Sequence, residues 1–159
     1  MSQKSLSNLA KLIIIMFALL GVTLYGLALP LGAESMKGEP FVCGEYYLVW
    51  VVFMELMVIP DYAVLVFAWK IADSIKQGKA FGYDNAGRFK CISLISLVTS
   101  VYFLLGSIIL FLIRIIFPLL FIVSCALTFI GLSVSGAAAI LSYMCSKAAD
   151  IEEENRLTI

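Results

Sequence analysis

The stretch Cys91–Ser146, CISLISLVTSVYFLLGSIILFLIRIIFPLLFIVSCALTFIGLSVSGAAAILSYMCS, decides the fold. It runs for 56 residues with a single charge, Arg114. As one helix it would be about 84 Å long, whereas a bilayer's hydrocarbon core is about 30 Å thick. The chain must turn back, and Arg114 with Pro118 marks the place. Two membrane-crossing helices result, at about 91–113 and 118–142.

Two more apolar stretches lie upstream. Leu12–Ala33 is 22 residues long without a charge, and Tyr46–Trp69 is 24 residues long with Glu55 and Asp61 inside it. Each reaches the roughly 20 residues that one crossing requires. The expected fold is an all-α membrane protein, one domain over residues 1–159, with four transmembrane helices at about 12–33, 46–69, 91–113 and 118–142. A loop at 70–90 and a tail at 147–159 complete it. The composition agrees: 62% hydrophobic residues and a mean hydropathy of +1.04 are too apolar for a soluble domain of this length.

Lysine and arginine orient the helices. Of the 11 in the chain, only Lys37 and Arg114 fall on the side that holds the 34–45 and 114–117 connections. The rest fall in the N-terminal stretch, the 70–90 loop and the tail. By the positive-inside rule, both termini and that loop are cytoplasmic in a multi-pass protein of the cell membrane. The first span is too long for the apolar core of a cleaved signal peptide, about 7–15 residues, and Leu29-Pro30-Leu31-Gly32-Ala33 is a poor cleavage site. An uncleaved signal anchor is expected.

Several classes of chemistry find no support. Net charge is zero, which argues against direct nucleic-acid binding. Without a histidine or a CxxC pair, neither zinc nor haem is expected, and no cofactor is assigned. Of the four cysteines only Cys43 is expected in an extracytoplasmic loop, where a free thiol is favoured over an intermolecular disulfide. No motif of an enzyme is present.

Glu55 and Asp61 are the exception inside the apolar spans. A charged group at the bilayer centre costs about 2.5–3.5 kcal/mol even on the mildest scale, so such residues mark candidate functional sites. On an ideal helix the two point about 120° apart and do not form a paired dyad. Pro60 between them frees a carbonyl and kinks the helix. They suggest a polar cavity, a proton relay or a cation site. The plainer alternative is a protonated carboxyl bonded to neighbours: Thr99, Ser100 or Tyr102 for Asp61, and Ser124 or Thr128 for Glu55.

The fourth span carries Gly131, Ser135 and Ala139 at four-residue spacing, then Ser142, with Gly136 alongside. Small residues let helices approach closely, within the bundle or across a homo-oligomer. In the 70–90 loop, Lys70–Lys76 continues the helical pattern and Gly78 ends it. Asp84 or Asn85 then caps a helix starting near Ala86. The tail, KAADIEEENRLTI, is acidic where the loop is basic. It is either solvated or folded against the loop. The loop itself is either a connector touching anionic lipid or a docking surface.

Ile59-Pro60, Ala63–Lys70, Gln77-Gly78-Lys79-Ala80-Phe81 and the ending ADIEEENRLTI carry a resemblance. Together they resemble a bacterial four-helix membrane family catalogued as domain of unknown function 2975, over nearly the whole chain. The chain departs from that family's usual pattern at Arg156 and at Asp61. The resemblance transfers no biochemical activity. It implies a soluble partner, because members are often encoded beside a small helix-turn-helix regulator. The expected function is therefore a membrane-bound regulator or sensor, not an enzyme, acting on such a DNA-binding protein. The candidate partner-binding residues are Lys79, Phe81, Asn85 and Arg88 in the loop and Glu153, Glu154, Asn155, Leu157 and Thr158 in the tail. The alternative is a small transport or immunity protein using Glu55 and Asp61.

Overall fold

The computed structural model describes residues 3–31, 47–78 and 80–157. Among the described residues there is helix and turn but no strand. Four helices are long and apolar enough to cross a membrane: Gln3–Leu31, Leu48–Lys76, Tyr83–Leu112 and Pro118–Asn155.

Two prolines shape the first two. The first helix is α1 (Gln3–Thr23), followed by a π-helical turn over Leu24–Ala28. Pro30 lacks an amide hydrogen for the Gly26 carbonyl, and its ring crowds that oxygen. The turn widens accordingly, with the Leu29 N–H donating to the Leu24 carbonyl, five residues back. The second helix is interrupted between α2 (Tyr47–Glu55) and α3 (Val58–Lys76). Pro60 stands in the same relation to Leu56, and the break falls at Leu56–Met57, as the sequence predicts. The Met57 N–H tightens onto the Met54 carbonyl (3.0 Å) before regular spacing resumes at Asp61.

At the other end of α3, Gly78 takes a positive φ of 76°, the left-handed conformation that closes many helices. Gly82, in extended conformation, precedes α4 (Tyr83–Leu112). The helix starts three residues before Ala86, because Asn85 does not cap it but lies within its first turn. α5 (Pro118–Leu157) begins on a proline, which suits the first helical position. Between α4 and α5 the chain reverses through Arg114 at φ 60°, with Ile115 and Ile116 turned inward onto Leu110. The expected turn at Arg114 and Pro118 is found there.

α1 lies antiparallel on α3 through polar contacts along its length. The Ser7 hydroxyl donates to the Ala72 carbonyl at 2.7 Å. Lys11 pairs with Asp73 and lies over the Trp69 ring, 5.0 Å from its centroid. The Tyr62 hydroxyl donates to the Ala18 carbonyl at 2.8 Å, in space left by Gly21. α3 meets α4 through Ile71, Ile92 and their neighbours Phe67 and Phe89. The Phe53 ring of α2 covers Gly106 and stacks on Phe103. Gln3 lies near Gly78 and Asp150 near Tyr83, so both ends of the described chain sit at one end of the bundle, the basic one.

The longest contact joins α4 to α5. Its seam on α5 reads Ser124, Thr128, Gly131, Ser135, Ala138, Ser142, Cys145 and Ala149, spaced alternately by four and three residues. Such a 3.5-residue repeat keeps one face on its partner over many turns, where strict four-residue spacing drifts off it. Ala139 and Gly136 are accordingly exposed, and Ala138 takes the buried place that the four-residue row assigns to Ala139. Small side chains let the backbones approach, so hydroxyls reach across. Ser135 donates to the Ser93 carbonyl at 2.9 Å and Ser142 to the Ala86 carbonyl at 2.8 Å.

Candidate functional site

Midway along the bundle, the prolines set a cavity of about 460 Å³ between α1, α3, α4 and α5. Most of its wall is apolar. Among the described residues one carboxyl group, that of Asp61, stands in it. The Tyr25 hydroxyl donates to Asp61 Oδ2 at 2.6 Å, and among the described residues it is the one hydrogen-bond partner of that carboxyl. Tyr25 belongs to the π-helical turn and Asp61 follows Pro60 directly. Each partner therefore sits where a proline has disturbed a helix, and local widening of this kind recurs at functional sites.

The third-span partners expected for Asp61 behave otherwise. Thr99 and Ser100 line the cavity, but the bond comes from the first span. Tyr102 lies beside Phe53, with ring centroids 5.6 Å apart. Glu55 closes α2 outside the cavity wall. Its expected partners Ser124 and Thr128 donate to carbonyls on their own helix, those of Leu120 and Ser124. The helix break thus separates the two acids: one faces the cavity and the other does not line it. Among the described residues no Lys or Arg lines the cavity.

The expected partner-binding residues lie at the basic end. Asn85 is 0% exposed, donating to the Ala80 carbonyl at 3.0 Å and accepting from Arg88 Nη1 at 2.8 Å. The same Arg88 nitrogen donates to the Lys70 carbonyl at 3.0 Å and to the Ser74 hydroxyl. This pair closes the end of α3 onto the start of α4. It is a clamp inside the chain, and Asn85 offers no surface to a partner. Phe81, by contrast, is 62% exposed beside it.

The acidic tail is the continuation of α5, helical through Leu157, with Glu153, Glu154 and Asn155 exposed along it. It folds against the start of α4 through Tyr83, whose hydroxyl donates to Asp150 at 2.6 Å and to Glu153 at 3.3 Å. Sequence reasoning missed Tyr83 and Tyr25 alike. Lys79, Thr158, the Leu157 side chain and Cys43 lie outside the described residues. Cys91, Cys125 and Cys145 are free thiols.

Fold and cavity define a class: an all-helical protein with four membrane-type helices around a mid-depth polar pair. Within that class the chain belongs to the family described as "Protein of unknown function (DUF2975)", whose model matches residues 33–159. Neither a curated protein nor a solved structure matches it.

Proposed function

We propose that the chain is a membrane-bound regulator or sensor, without catalytic activity, that acts on a small helix-turn-helix DNA-binding protein. The basic end would lie in the cytoplasm, a placing supported by the distribution of lysine and arginine. The observation that carries the reading is the length of α5. Its 40 residues make about 60 Å of helix, twice the thickness of a hydrocarbon core. The excess holds Asp150, Glu152, Glu153 and Glu154 in helical order, with Asp150 and Glu153 at the Tyr83 hydroxyl. A DNA-binding protein presents a cationic surface to phosphate. A helical row of carboxylates offers that surface a competing partner, which would hold the regulator at the membrane. Asn85 and Arg88 support this platform from within. A photoreactive residue at Phe81 and, separately, at Leu157 tests the reading in cells. Crosslinks to a small DNA-binding protein are expected. Crosslinks solely within the chain would reject it.

A second reading, a small transport or immunity protein using Glu55 and Asp61, has the cavity in its favour at Asp61 but not at Glu55. It expects Asp61→Asn or Glu55→Gln to abolish function with the fold intact. Silence of both substitutions removes it.

A further inference from the structure

We infer that the mid-depth cavity is a binding site for a lipophilic monocation, an onium group carried on an apolar body. The cavity's size, about 460 Å³, lies in the range of small-molecule sites, roughly 300–1,000 Å³. Its chemistry is one-sided. Asp61 supplies a carboxyl group, and among the described residues no lysine or arginine in the wall neutralises it. Tyr25 occupies one carboxyl oxygen and leaves the other without a donor among those residues.

Four aromatic rings, Phe17, Tyr25, Tyr62 and Phe103, stand in the same wall. Aromatic faces attract cations, most strongly where water is excluded, and rings around one acid are the pattern that recognises substituted ammonium groups. Met54 and Met57 add adaptable apolar surface for the body of the ligand. The wall also opens sideways, since Phe17, Leu20, Leu24 and Asp61 are exposed. A ligand dissolved in the lipid phase can therefore enter without crossing the bundle.

Other occupants fit less well. A bare calcium or magnesium ion requires about six to eight oxygen ligands, and one carboxyl group with a phenol does not approach that number; the described wall offers zinc no cysteine or histidine. An anionic headgroup would meet Asp61 with no lysine or arginine beside it among the described residues. A neutral acyl chain would leave the acid without a role.

This inference rests on the cavity of the second reading but not on transport. A chain that binds the cation and moves nothing loses transport and keeps the site.

Tetraphenylphosphonium and tetraphenylborate, equal in shape and opposite in charge, provide the test. Each is titrated onto the full chain in nanodiscs of neutral phosphatidylcholine, against empty nanodiscs. Saturable binding of the cation is expected, at least tenfold tighter than that of the anion. Asp61→Asn should weaken it at least tenfold, and Asp84→Asn, at the basic end, should leave it unchanged. No saturable cation binding, anion binding of equal strength, or full binding by Asp61→Asn would each overturn the inference. If Asp61→Asn does not fold, the cation–anion comparison on the unaltered chain decides alone.

Discussion

Gly131 of α5 sits directly against the Ser100 hydroxyl of α4, so closely that a β-carbon at position 131 would collide with it. Ser100 is itself buried at this crossing, and the branched side chain of a valine would meet its β-carbon as well as its hydroxyl. Gly131→Val should therefore destabilise the fold by about 1–3 kcal/mol, the usual range for overpacking. Gly136, five residues on, has nothing near its missing side chain. The thermal midpoint in detergent should fall for Gly131→Val and hold for Gly136→Val.

Asn85 is buried with both ends of its amide engaged. Asn85→Ala leaves the Ala80 carbonyl and an Arg88 donor without that partner, at a cost of about 1–3 kcal/mol. Arg88→Lys should not substitute for the arginine, because a point ammonium lacks the planar fork. Reversible unfolding in mixed micelles would measure both. Stability equal to the parent in Asn85→Ala would mean that the clamp is not closed in solution.

The Tyr83 hydroxyl ties the start of α4 to the tail. Tyr83→Phe removes the donor to Asp150 and Glu153 and keeps the ring. Hydrogen exchange should accelerate in the amides of 147–157 while the seam at 124–138 keeps its protection. Uniform acceleration would show that the tail and the seam open together.

Pro60 breaks the second span at Leu56–Met57. With Pro60→Ala the Leu56 carbonyl regains a donor, and α2 and α3 should merge into one rod. Spin labels at Val49 and Val66, both on exposed positions, would then move apart toward about 26 Å, the length of 17 helical residues. An unchanged distance would assign the break to the packing of Phe53 on Gly106 and Phe103.

Much of the fold was legible because membrane helices are announced by length and apolarity alone. The break before Pro60 follows from one residue's backbone chemistry, and the turn at Arg114 and Pro118 from a run too long for one crossing. The pairing of helices was less legible. Depth along the span places Asp61 level with residues on several neighbours, and only the docking of α1 on α3 selects Tyr25. One clue was present: Pro30 follows Tyr25 by five residues and disturbs its turn, as Pro60 disturbs the turn before Asp61. The four-residue row on α5 found the right helix and missed Ala138, because packing over many turns follows the 3.5-residue repeat. Asn85 and Arg88 looked like surface because polar residues in a connector usually are. Their spacing of three, on one helical face, was the signal for mutual contact.

The alternating seam of α5 also bears on how this chain can change over generations. Positions 124, 128, 131, 135, 138, 142, 145 and 149 admit little beyond glycine, alanine, serine, threonine or cysteine. The exposed positions between them, such as Phe129 and Ile140, face away from the seam and the cavity and are free to exchange one apolar residue for another. Descendants of this sequence would therefore differ in a rhythm, holding still at every third or fourth residue and drifting between.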